Sequence, residues 1–267
     1  MAQLPARHVP LTPRLLSWLR RLARPDTPDT PLDPTLEAHV LAHAPWIAAL
    51  DDARRARLSR LAAWFLRNRA ITAVAELELD DNDRALLAAL CCLPVLELGI
   101  GALRGWSQLI VYPDAFRVNR THVDAAGVLH EWEDDLIGEA WDAGPLILSW
   151  ADVQADCAAP GDGFCVAVHE IAHKLDALDG ALDGTPPLPS DHHAAWVRDF
   201  QAAFDDLNAR LDRGRRVDID DYAAESPDEF FAVASEYHFS APEVLRRAYP
   251  AVADHLARFY GPSPFAR

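Results

Sequence analysis

Residues 166–180 read VAVHEIAHKLDALDG, and within them His169, Glu170 and His173 stand in the order His-Glu-x-x-His. Positions four apart on an α-helix lie one above the other on a single face. Both imidazoles can therefore aim a ring nitrogen at one ion, about 2.0–2.1 Å away if it is zinc. Glu170 stands beside that position rather than on it, where a carboxylate suits a general base acting on metal-bound water. Zinc lowers the pKa of its water from about 15.7 to about 7, which makes hydroxide available at neutral pH. Chance yields this pattern roughly 0.02 times in a chain of such composition. The bland alternative is a helix carrying two satisfied histidines.

A catalytic zinc with one open position needs a third protein ligand. One solution sets a glycine three residues and a third histidine six residues after the second histidine; here Asp176 and Asp179 occupy those places. Asp179 is hard to present without that glycine, so a carboxylate from a second helix is the better search. The stretch YAAESPDEFFAVASEYHF offers Glu225, Glu229 and Glu236. Glu225 precedes the helix and is less fixed. Ser226-Pro-Asp-Glu229 is also a capping box with Pro227 at the first helical position, so Glu229 has a purely structural alternative. Glu236 lies two turns further along the same face and can orient a ligating histidine from behind. Asp176 is the other candidate for that supporting role.

The elements around these residues follow from periodicity. An amphipathic segment, Leu15 to Leu22, sits in a proline-dotted arm over 1–45 and reads as packing on its own acidic body rather than on a membrane. Helices are expected over Asp51–Arg69, with Leu58, Leu61, Trp64 and Phe65 inward, and over Asp81–Leu96. Short β-rich runs at 107–113, 127–132 and 145–150 read as strands. The His-Glu-x-x-His helix is expected over 163–178, on a stripe of Phe164, Val168, Ile171, Leu175 and Leu178, with Gly180 as its C-terminal cap. A long loop over 179–192 reads as a solvated surface loop, and helices resume at His193–Asp212, Pro227–Phe239 and Pro242–Tyr260. Helices, then strands, then helices make an α+β domain, here one domain over 46–267.

Composition narrows the class. Of 267 residues, 50% are hydrophobic and 25% charged, enough apolar material for a sizeable core. No apolar run is long enough to span a membrane, and the N-terminus does not read as a signal peptide. A net charge of −16 repels phosphate backbones, so no direct nucleic-acid binding is expected. Cys91, Cys92, Cys157 and Cys165 lack Cys-x-x-Cys spacing, which fits free thiols in a reducing cytoplasm.

HEIAHKLDALDG, followed some way on by Tyr222 and by Glu229-Phe-Phe-Ala, resembles the Mlc titration factor A family of bacterial zinc peptidases. More distantly the two signatures are similar to the catalytic domain of anthrax lethal factor. The likeness extends to LELDDNDRALLAALCC, LIVYPDAF, GPLILSWADV and YPAVADHLARFYG, and stops at RNRAITAVAEL. The resemblance implies a zincin-like (gluzincin) α+β fold with a small mixed sheet and an N-terminal helical region. It implies zinc held by His169, His173 and Glu229, Glu170 as base, and Tyr222 stabilising the oxyanion. Leu148, Ser149 and Trp150 would form an edge strand to which a peptide substrate adds. It implies aminopeptidase activity and, as an alternative, a regulatory protein that sequesters a transcriptional repressor of sugar uptake.

Overall fold

The computed structural model describes residues 28–114 and 144–265. The expected arm helix at 15–22 and the expected strand at 127–132 lie outside the described residues. The chain opens with α1 (Pro34–His43), α2 (Pro45–Ala48) and α3 (Asp52–Asn68). Of these, the two longer ones start where a side chain can take an otherwise unused backbone donor. Asp33 accepts from the Thr35 N–H, and Asp51 from the Arg54 N–H. Leu32, Val40 and Ala44, on the arm side of residue 45, are buried in the same core as Trp46, Leu58, Leu61 and Phe65.

Three strands follow, β1 (Ala70–Ala73), β2 (Gln108–Tyr112) and β3 (Leu146–Ser149), with α4 (Asp81–Cys92) between the first two. They form one sheet in the order β1-β2-β3, and both pairings are parallel, with Ile71 opposite Leu109 and Leu109 opposite Leu146. The expected sheet was mixed; the described strands are all parallel. β1 leads into α4 before the chain returns as β2, and such a crossover brings the next strand back in the same direction. β1 was not foreseen, because two alanines flank its Ile71 and Thr72 and none of its four residues is buried, so no apolar run marks it. Leu109, Val111, Leu146 and Leu148 bury the middle of the sheet.

Trp150 does not extend β3. It is the first residue of α5 (Trp150–Ala158), and Ser149 caps that helix by accepting from the Asp152 N–H. Next come α6 (Val166–Asp176), a 3-10 turn at Ala177–Asp179, α7 (Ser190–Leu211), a second 3-10 turn at Asp221–Ala224, and α8 (Pro227–Ser240). Gly180 ends the first turn in the left-handed region at φ 91°, which glycine adopts without a Cβ clash. The last expected helix is broken into α9 (Pro242–Ala248) and α10 (Pro250–Tyr260). Pro250 forces Tyr249 out of the helical region, as a proline does to its predecessor.

α8 is the axis of the molecule. Every residue from Glu229 to Ser240 is buried, and α6, α7, α9, α10 and the Tyr222 turn all pack on it. A helix enclosed on every side can carry a carboxylate only where partners neutralise it. α8 carries two.

Candidate metal centre

α6 presents the two histidines beside its buried stripe of Val168, Ile171 and Leu175. Phe164, expected to begin that stripe, lies before the helix and is 39% exposed. The helix starts later than its apolar pattern suggests because its own N-cap, Cys165, offers no side-chain cap. Distant residues cap it instead. Glu236 Oε1 accepts from the Cys165 N–H at 2.9 Å, Asp156 Oδ2 from the Val166 N–H at 2.7 Å, and Ser240 Oγ from the Gly163 N–H at 2.9 Å. Two carboxylates at a helix N-terminus also complement its dipole. The start of the histidine helix is thereby tied to α5 and to the end of α8.

α8 supplies the third donor. The Ser226 hydroxyl accepts from the Glu229 N–H, which is one half of the expected capping box. The Glu229 side chain does not complete the box. It turns into the cleft, where Oε2 lies 3.1 Å from His169 Nε2 and 3.3 Å from His173 Nε2. The two Nε2 atoms are 3.2 Å apart. Tetrahedral coordination at about 2.0–2.1 Å requires ligand atoms about 3.3 Å from one another. Two nitrogens and an oxygen at that spacing fit three corners of such a site. His169, His173 and Glu229 are the one such group found among the described residues, so Glu225, Asp179 and Glu236 stand outside it.

The surroundings fix this triangle. Glu236 Oε2 lies 3.2 Å from His169 Nδ1, so the ring turns its other nitrogen to Glu229. Burial opposes charge on His169, but Glu236 and Glu229 outweigh it and hold its pKa well above the ordinary histidine value. Burial likewise raises the Glu229 carboxyl, yet the hydrogen bonds from His169 and His173 prevail and hold it well below the usual range. Negative charge and nitrogen donors thus converge on one point, an arrangement that attracts a cation. The Tyr222 hydroxyl donates to Glu229 Oε1 at 3.1 Å, from a turn held by Asp220, which accepts from the Tyr222 N–H. Glu170 lies half-buried on α6 beside His169.

Asp176 is buried; its Oδ2 accepts from the Gly184 N–H at 2.7 Å and braces the loop after α6, and His173 is among the charges that act on its carboxyl. Leu148 and Ser149 lie on β3, at the edge of the described sheet, and β3 packs against α6. Two further acids that the spacing of residues does not reveal lie near the site. Asp156 sits in a stretch read as following a strand; the clue was a helix start without a capping side chain of its own. Asp228, next to Glu229 within the same capping-box motif, sets Oδ2 3.9 Å from His173 Nδ1.

A helical pair of histidines closed by a glutamate from a second helix is the donor set of a mononuclear metal site. The glucose-regulated metallo-peptidase M90 family matches residues 17–261, and the chain belongs to that family. It is 38% identical over 242 residues to Mlc titration factor A of Klebsiella pneumoniae (strain 342), covering 90% of this chain and 88% of the relative. It is 38% identical over 226 residues to that of Serratia proteamaculans, covering 84% and 86%. Against that of Yersinia pestis the identity is 34% over 256 residues, covering 95% and 92%. The resemblance read from the two signatures therefore holds. No helix among the described residues is long and apolar enough to cross a membrane.

Proposed function

We propose that this chain is a zinc-dependent peptidase, an aminopeptidase acting on short peptides in the cytoplasm. The observation that carries the reading is the triangle of His169 Nε2, His173 Nε2 and Glu229 Oε2, with sides of 3.1–3.3 Å. An N,N,O set with one open corner suits zinc in a hydrolytic role. When bound there, zinc supplies an acidic water at neutral pH and a positive charge beside the scissile carbonyl. His169, His173 and Glu229 would hold it, and Glu236 keeps the His169 ring turned inward. Glu170 takes the proton of the attacking water and returns it to the leaving amine. The Tyr222 hydroxyl donates to the oxyanion of the tetrahedral intermediate. The substrate backbone lies along β3 at Leu148 and Ser149 as an added strand.

The test is Glu170→Gln, which leaves every ligand in place and removes the base. The expected result is an unchanged zinc content with peptide turnover down about 10²–10⁴-fold. Turnover retained in that variant refutes the mechanism. A panel of peptides with free and blocked amino ends decides between amino- and endopeptidase.

The relatives' name, Mlc titration factor A, supports a second reading in which the chain binds a transcriptional repressor and catalysis is secondary. Capture of a repressor by the Glu170→Gln variant, with no peptide cleaved by the parent, favours that reading. Capture that needs an active base, or none at all, counts against it.

A further inference from the structure

The two histidines of the triangle are supported unequally by anything so far described. His169 Nδ1 has Glu236 Oε2 behind it at 3.2 Å. His173 turns its Nε2 toward Glu229 and His169, so its Nδ1 points away from the donor triangle. On that side lies Asp228 Oδ2, 3.9 Å from Nδ1, on a side chain only 18% exposed. Asp228 is not a loosely held surface acid. It belongs to the first turn of α8, and the loop after α6 presses on its backbone. A Cβ at Gly184 would stand 2.3 Å from the Pro227 carbonyl oxygen and 3.4 Å from the Asp228 nitrogen, so only a glycine lets the chains approach this closely. Gly184 is itself pinned on both sides of its backbone. Its N–H donates to Asp176 Oδ2 at 2.7 Å, and its carbonyl accepts from Trp196 Nε1 at 3.0 Å.

We propose that Asp228 is the positioning residue for His173, as Glu236 is for His169. At 3.9 Å the pair is an ion-pair contact rather than a formed hydrogen bond. A carboxylate on that side favours the imidazole proton on Nδ1, which leaves the Nε2 lone pair for the metal. Asp176, Gly184 and Trp196 serve this by fixing the Pro227–Asp228 peptide against the end of α6. Each ligating histidine is thus backed by an acid from α8, one from its first turn and one from two turns further on. The inference rests on the zinc reading above and adds a residue that touches neither metal nor substrate.

The experiment is zinc affinity, measured by competition with a chromophoric chelator on the full chain, for the parent, Asp228→Ala and Asp228→Asn. Loss of such a supporting acid weakens metal binding about 10–100-fold, and that is the expectation for Asp228→Ala. The amide oxygen of Asp228→Asn can accept the same proton, so this variant recovers most of the affinity. Both metal-free variants should melt within about 3 °C of the parent, because a first-turn acid contributes little to folding by itself. Affinity of Asp228→Ala within two-fold of the parent's, with the parent binding tightly, overturns this inference and leaves the zinc reading intact. So does an affinity loss in Asp228→Ala that Asp228→Asn fails to recover, or one matched by a large fall in metal-free stability. A parent that takes up no zinc overturns both.

Discussion

Glu229 divides its two oxygens between tasks: Oε2 faces both histidines, while Oε1 accepts from the Tyr222 hydroxyl at 3.1 Å. Tyr222 therefore touches the donor set before any substrate arrives, and its two possible roles make different demands on experiment. As an oxyanion donor, its loss in Tyr222→Phe should lower turnover about 10²–10³-fold even at saturating zinc. As an orienter of Glu229 alone, its loss should weaken zinc binding, and added zinc should restore turnover. The first outcome is expected, and steady-state rates measured across a zinc titration decide it. At this scale the sequence was legible where spacing dictates geometry. His169 and His173 share a face because four residues make a helical turn, and Glu170 follows from the same count. Spacing left Glu225, Glu229 and Glu236 open as the third ligand, because which carboxylate meets α6 depends on how two helices pack. Only the family resemblance singled out Glu229. Asp228 was hidden for the same reason: nothing local distinguishes an acid that faces a histidine from one that caps a helix.

Among the elements, α6 depends most on its neighbours. α3, α4 and α8 begin at their own capping side chains, Asp51, Asp80 and Ser226, and these starts could be read from the chain. α6 begins at Cys165 and takes its caps from Asp156 and Glu236, so its first turn could not be. The parallel sheet was illegible in the same way, since pairing direction depends on crossovers rather than on the strands' residues. Asp156 pays a physical cost in this arrangement. Burial raises its pKa to about 7, against the Val166 N–H, which favours the charged form. A carboxyl raised in the folded state contributes stability that is fully present below its unfolded value of about 3.9. That contribution is lost as pH climbs from about 4 to about 7, because the unfolded chain ionises and the folded one does not. Asp156→Asn keeps an oxygen for Val166 and cannot ionise. Relative to the parent it should gain roughly 2 kcal/mol between pH 4 and pH 7, a figure discounted for partial solvent access. Urea unfolding at four pH values checks this, and a constant difference between the two proteins would rule out Asp156 as the source.

Over the whole molecule, α8 links the site to the junction where the first and last described segments meet. Its first turn carries Glu229, and near its other end lies His238, 4% exposed. Beside that end, Arg54 of α3 donates to the Pro262 carbonyl at 2.8 Å, and Arg54 and Arg57 both pair with Glu97. Gly261 packs there at φ 82°, where a Cβ would come within 2.8 Å of Glu97 Cγ. The α+β order of helices, strands and helices was legible, but this closure was not, because it joins residues some two hundred positions apart. Burial pushes His238 down to about 4, with a smaller push from Arg54 and Arg246, against a hydrogen bond to the Gly261 backbone. A histidine depressed in the folded state acts oppositely to Asp156. Above its unfolded value of about 6.5 both states are neutral, and as pH falls toward 4 the unfolded chain gains a proton that the folded one refuses. Stability should drop by on the order of 3 kcal/mol over that range from this residue. His238→Asn retains a donor for Gly261 and cannot charge. It should be less stable than the parent at pH 7, because it leaves a cavity, and should close that gap as pH falls from 6.5 to 4. Urea midpoints of the two metal-free proteins across that window decide it. A gap that stays constant would place the acid sensitivity elsewhere, whereas a closing gap would tie acid unfolding to the end of the helix that holds Glu229.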